Sequence, residues 1–135
     1  MTSEHQPWLH LRFSGAEPLY EQIKTRIREA ILRGDLSEGE AVPTFRKLAA
    51  DLRVSLITVK RAYDDLSAEG VLQGQTGRGT YVAPGALDRC RKMQSDLAEE
   101  FLELAVLAAK RAGMTNKEIR ERVMEMLKNS GTSPP

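Results

Sequence analysis

Apolar residues recur every three or four positions along five stretches of this chain and alternate along a few short ones, so helices dominate and β-structure is confined to small pieces. Leu19, Tyr20, Ile23, Ile27, Ile31 and Leu32 make one stripe. They predict a first helix from about Pro18, where a missing N–H is tolerated, to Arg33, with Gly34 as its left-handed cap. Phe45, Leu48, Ala49 and Leu52 define a short second helix capped by Thr44. Ser55 caps a third helix running to Glu69, with Val59, Ala62 and Leu66 turned inward and Leu56, Ile57, Lys60 and Arg61 turned the other way. Residues 35–43 read as a loop anchored by Leu36 and Val42, and Tyr63 and Tyr81 are expected in the core.

Val71-Leu72-Gln73 and Thr80-Tyr81-Val82 are β-prone runs separated by Gly74, Gly77 and Gly79, which predicts a hairpin. Leu9 to Phe13 alternates as a short strand would, and Trp8 is expected to cover an apolar edge beside it. After the break Ala83-Pro84-Gly85, the residues Cys90, Met93, Leu97, Phe101, Leu104 and Ala108 step by three and four and predict one long amphipathic helix over 86–112, ended by Gly113. Thr115 to Glu118 is a capping box opening a last helix with Ile119, Val123, Met126 and Leu127 on one stripe, and residues 130–135 are expected to fray. The predicted fold is mainly α with a small β wing. Residues 1–84 form an arm and a winged helix-turn-helix, and residues 85–135 form a two-helix C-terminal dimerisation segment.

Composition sharpens this picture. With 41% hydrophobic and 29% charged residues the chain has the make-up of a folded domain, and its single cysteine cannot staple it. The N-terminus lacks the pattern of a secretion signal and no apolar run reaches the roughly 20 residues of a membrane span, so a cytoplasmic protein without membrane partners is expected. The net charge of +1 gives no general pull toward nucleic acid, but residues 44–82 hold six basic against four acidic side chains. Placement therefore decides. Arg46, Lys60, Arg61 and Arg78 fall on the second helix, the third helix and the wing, where double-stranded DNA could meet them together.

The runs Pro43-Thr44-Phe45-Arg46-Lys47-Leu48-Ala49, Val54-Ser55-Leu56-Ile57-Thr58-Val59-Lys60-Arg61-Ala62-Tyr63, Glu69-Gly70-Val71-Leu72 and Gly77-Arg78-Gly79-Thr80-Tyr81-Val82 carry a resemblance. With the opening Pro18-Leu19-Tyr20-Glu21-Gln22-Ile23, they resemble the GntR family of bacterial transcriptional regulators over residues 18–82. The short two-helix tail looks like the YtrA subfamily, whose members are homodimeric and often control transporter operons. The resemblance implies a sequence-specific regulator, a repressor that binds an inverted repeat, with DNA contacts from Arg46, Ser55, Thr58, Lys60 and the wing residues Gly77 to Gly79. Helix N-termini and hydroxyls suit phosphates, Arg61 adds charge, and Arg78 suits a minor groove. Leu56 and Ile57 are candidates for reading thymine methyls, although Ile57 is also expected to lie half-buried against the first or second helix.

Arg53 stands where the family usually has glycine, so either a left-handed residue there costs ~1 kcal/mol or the turn takes another shape. Cys90, Met93, Leu97, Phe101, Leu104 and Ala108 are the expected dimer stripe. A helix of about 27 residues is roughly 40 Å long, more than one small module needs. Any small-molecule effector has room at the dimer seam or between the two segments. No cofactor is expected. The glycines of the 74–79 loop lack the spacing of a nucleotide site, and His5 and His10 lack partners at metal spacing. No catalytic constellation stands out, so an enzyme is not expected. The rival readings are a winged-helix protein-interaction module and a non-specific architectural DNA binder.

Overall fold

The computed structural model describes residues 16–75 and 77–130. The expected strand at Leu9 to Phe13, together with Trp8, His5, His10 and the tail from residue 131, lies outside the described residues. Five helices and three strands follow in the order α1 (Leu19–Arg33), β1 (Ala41–Val42), α2 (Phe45–Leu52), α3 (Leu56–Ala68), β2 (Leu72–Gln75), β3 (Gly79–Val82), α4 (Ala86–Arg111) and α5 (Asn116–Asn129). The mainly α fold with a β wing stands as the sequence predicts.

The helix ends are set by local chemistry. Thr44 Oγ1 accepts the Lys47 N–H at 3.1 Å, and Ser55 Oγ accepts the Thr58 N–H at 3.1 Å. Gly34 closes α1 in the left-handed region at φ 87°, and Thr115 and Glu118 form a reciprocal capping box at α5. Pro18 is the N-cap of α1, one position earlier than a first helical residue.

Helices α1, α2 and α3 enclose the core. Ile23, Ile27 and Ile31 of α1 meet Leu48 of α2 and Val59, Ala62, Tyr63 and Leu66 of α3, all buried. The Tyr63 hydroxyl donates to the Pro43 carbonyl at 2.7 Å, and burial pushes its ionisation far up. Across the α1–α3 seam Lys24, only 8% exposed, lies 3.2 Å from Asp65 and 3.1 Å from Glu69, while Arg28 reaches Glu69 at 3.0 Å. Burial works against the Lys24 charge, but hydrogen bonds to Glu69 and Asp65 outweigh it and its pKa is raised. Two carboxylates around one sheltered ammonium tie α3 to α1.

The sheet is antiparallel in the order β1-β3-β2, with Val42 opposite Thr80, Leu72 opposite Val82 and Gln75 opposite Gly79. Strand β1 corrects the expectation of a plain loop over 35–43. Two residues are too few to show alternation, and only pairing with β3 reveals them. The turn between α2 and α3 is also settled. Arg53 sits at φ 58°, ψ 42° and is the non-glycine residue of positive φ among those described, while the Val54 N–H closes on the Ala49 carbonyl at 3.1 Å.

The chain divides into two compact units, the first ending at Met93 and the second starting at Gln94. The composition break at Ala83-Pro84-Gly85 marks where α4 begins. Its opening turns belong to the first unit because Ala86 and Cys90 are buried in that core. Glu38 caps α4 from a distance, its carboxylate accepting the Gly85 N–H at 2.9 Å and the Leu87 N–H at 3.0 Å. Arg89 then donates to the carbonyls of Gly70 at 3.0 Å and Pro84 at 2.8 Å. In the second unit α5 buries no residue.

Two outcomes follow from these joints. A residue with a Cβ costs about 1–2 kcal/mol in the left-handed region, and glycine gives back roughly 0.4–1 kcal/mol through unfolded-state freedom. Arg53→Gly should therefore raise the unfolding free energy by roughly 0.5–1 kcal/mol in urea titration, with Arg53→Ala near wild type; a destabilised glycine variant would contradict the turn geometry. The backbone N–H groups of Gly85 and Leu87 hold the Glu38 carboxyl below its ordinary value of 4.5. A depressed carboxyl stabilises the fold above its unfolded value, and that stability is lost as pH falls through the folded value. The loss of stability between about pH 5 and pH 3 should accordingly be shallower in Glu38→Gln than in wild type, as read from urea midpoints; parallel curves would rule the cap out.

Candidate nucleic-acid interface

The amino end of α3 combines free backbone donors with two hydroxyls. Ser55 Oγ both caps the Thr58 N–H and lies 2.7 Å from Thr58 Oγ1, so the two hydroxyls form one polar edge at the positive end of the helix. Beyond it the outward face of α3 carries Leu56, Ile57, Lys60, Arg61 and Asp64, all exposed. Ile57 is 79% exposed, which corrects the expectation that it lies half-buried against α1 or α2. The inward arc of α3 is already filled by Val59, Ala62, Tyr63 and Leu66, and Ile57 faces away from that arc. Leu56 lies between the two environments at 37%.

Each basic residue of this surface rests on an aromatic ring. The Arg61 guanidinium lies 3.7 Å from the centre of the Tyr20 ring, so α1 holds this arginine in place from its own first turn. Arg46 and Lys60 share one platform. The Arg46 guanidinium is 5.6 Å and the Lys60 ammonium 5.9 Å from the centre of the Phe45 ring, which brings charges of α2 and α3 to one ring. Lys60 also pairs with Asp64 at 2.8 Å. Tyr20 and Phe45 read as core from periodicity, and both are half-buried against it. Their second role is a consequence of tertiary packing.

The wing supplies a separate tip. Gly77 at φ 74° and Gly79 at φ 98° take conformations that disfavour a side chain, and a Cβ there would meet open space. The backbone at the tip is therefore free to approach a partner. The Arg78 N–H donates to the Gln75 carbonyl at 2.9 Å, and the Tyr81 hydroxyl donates to the Arg78 carbonyl at 2.7 Å. Tyr81 is half-buried and braces the tip, where the sequence expectation put it in the core.

The expected dimer stripe divides. Leu97, Phe101 and Leu104 are exposed, as is Ala108. Cys90 is 1% exposed inside the first unit's core, and Met93 is partly buried against the same cluster. Both were expected at a dimer seam, and Cys90 is corrected to a core residue whose thiol pKa burial raises. Their spacing continues that of Leu97 and Phe101, so periodicity cannot tell the two environments apart. Among the described residues no three His, Cys, Asp or Glu side chains are grouped as a metal would require, and no helix is long and apolar enough to cross a membrane.

The family model described as "Bacterial regulatory proteins, gntR family" matches residues 19–82, from α1 through β3. The transcriptional repressor YtrA of Bacillus subtilis is 30% identical over 109 residues, which is 81% of this chain and 84% of that protein. The chain belongs to the GntR family. The solved YtrA of Sulfolobus acidocaldarius, also described as a GntR-family transcription factor, superposes with a TM-score of 0.57 at 30% identity, covering 70% of this chain and 97% of that one. The chain is thus similar to YtrA-type GntR regulators over a longer stretch than the winged helix alone. The DNA-binding domain of AraR in complex with operator ORX1 superposes with a TM-score of 0.51 at 32% identity, over 56% of this chain and 96% of that one. This GntR regulator therefore carries the DNA-binding winged helix of its family.

Proposed function

We propose that this GntR regulator acts in the cytoplasm as a homodimeric repressor that reads an inverted-repeat operator. The observation that carries the reading is the bare outward face of α3, where Lys60 and Arg61, with Arg46 of α2 beside them, are each held against an aromatic ring near a capped helix N-terminus. In this reading Ser55 and Thr58 bind phosphate, Arg46 and Arg61 bind phosphate or guanine, and Lys60 binds guanine. Ile57, the most exposed apolar side chain on the face, meets a thymine methyl with Leu56 at its flank. Gly77 and Gly79 let the wing backbone close on the minor groove, where Arg78 follows the negative potential.

The dimer rests on a second observation. From Phe101 to Ala109 only Glu103 is charged, and a helix apolar on all sides is ordinarily buried. Leu102, Val106 and Leu107 are exposed together with Phe101 and Leu104, and Val123, Met124, Met126 and Leu127 of α5 are exposed as well. A second copy is the partner whose apolar stripes match these. Two recognition helices then engage half-sites about one helical turn of DNA, or a multiple, apart, and occupation of the promoter excludes polymerase.

Selection from random duplexes tests the reading. An inverted repeat should emerge, and Arg46→Ala and Lys60→Ala should each weaken binding to it by about 1–3 kcal/mol. Binding without enrichment would identify an architectural protein, and absence of binding at moderate salt would identify a protein-interaction module. In sedimentation, Phe101→Glu with Leu104→Glu should convert the dimer to a folded monomer and weaken operator binding on the order of 100-fold through lost avidity. A double variant that remains dimeric would refute this seam.

A further inference from the structure

Asp64 occupies an unexpected place for a surface that meets phosphates. It lies on the bare face of α3, four residues after Lys60 and seven after Ile57, and lines a shallow groove with Ile57, Lys60 and Arg61. Helix stability does not account for it. Aspartate is a poor helix former in mid-helix, and a cation preceding its carboxylate partner by four residues is the less favourable order. The neighbouring Asp65 has a structural task, 3.2 Å from the sheltered Lys24. Asp64 instead turns outward and meets Lys60 at 2.8 Å, with both side chains more than half exposed.

That pair presents a donor and an acceptor side by side at the spacing of an ordinary hydrogen bond. In the major groove a G·C pair presents the complement: guanine N7 and O6 accept, and the adjacent cytosine N4 donates. Guanine O6 and cytosine N4 are themselves hydrogen-bonded, so they stand about 2.9 Å apart. We infer that Lys60 and Asp64 read one G·C pair of each half-site as a unit, Lys60 donating to guanine and Asp64 accepting from cytosine N4. This assignment rests on the DNA-reading function proposed above. An A·T pair with adenine in guanine's place sets thymine O4 against the carboxylate and adenine N6 against the ammonium, so both contacts become repulsive, whereas the reversed T·A pair keeps an acceptor and a donor there and lacks the N7 acceptor beside O6. Random DNA fares no better, because a phosphate brought to Lys60 is also brought to Asp64, like charge against like. A neutral guanine edge satisfies Lys60 without that conflict. Asp64 is thus a specificity-determining residue, lowering affinity for most sequences and sparing those that set a donor against it.

The test compares full-length wild type, Asp64→Asn and Asp64→Ala on selected operators, on operators with that G·C pair changed to A·T so that adenine replaces guanine, and on a random-sequence duplex. For wild type a G·C pair of fixed orientation should be enriched at one position of each half-site, with adenine in place of that guanine binding at least ~10-fold more weakly. Both variants should cut that ratio several-fold, leaving the part that Lys60 supplies, and bind the random duplex several-fold more tightly, with a salt slope steeper by about one as Lys60 becomes available to phosphate. Their melting curves should match wild type, which separates the effect from folding. If the variants keep the wild-type preference, or gain equally on every duplex, the assignment fails while operator reading stands. If wild type itself shows no sequence preference, operator reading fails and takes the assignment with it.

Discussion

Helix α3 must be gripped along one arc while its opposite face stays uncovered, and the first unit is arranged around that constraint. The grip comes from Val59, Ala62, Tyr63 and Leu66, all inside the core, with the Tyr63 hydroxyl tied to the Pro43 carbonyl. Lys24 adds a polar bolt, since Asp65 and Glu69 sit on the flank of α3 rather than on its outward side. Burial of apolar side chains has no direction of its own. The hydrogen-bonded ammonium has one, and it fixes the rotation of α3 about its axis.

The uncovered face is then conditioned by its neighbours. An exposed arginine or lysine ordinarily samples many rotamers, and ordering it on a target costs entropy. Tyr20 beneath Arg61, and Phe45 beneath Arg46 and Lys60, narrow that sampling beforehand. Cation–π contacts at exposed sites contribute about 0.5–1 kcal/mol each. Their effect is to restrain three charges, each against its ring, which the small charge excess of the region could not do by itself.

Much of this was legible in the sequence because its causes are local. Thr44, Ser55 and Thr115 announce their helices through the hydroxyl that the helix end requires, and the inward positions Val59, Ala62 and Leu66 follow from the helical repeat. What escaped depends on residues far apart in the chain. Strand β1 exists through its pairing with β3, Glu38 caps a helix 47 residues away, and Arg61 is placed by Tyr20 of another helix. Cys90 shows the same limit from the other side. Its heptad-like spacing is genuine, yet the opening turns of α4 face the core and the later turns do not. Periodicity reports that a face is apolar and is silent on what covers it. Ile57 likewise could be assigned only once the inward arc of α3 was seen to be full.

Arg53 places a permanent backbone penalty at the turn that sets α2 against α3, and its side chain is exposed. The penalty belongs to the Cβ, which every residue except glycine carries. Exchange of Arg53 among unbranched L-residues consequently leaves the strain unchanged, and the position is mutationally open within a turn that is otherwise closed. The turn is therefore a place where related regulators can diverge in surface character without renegotiating their fold.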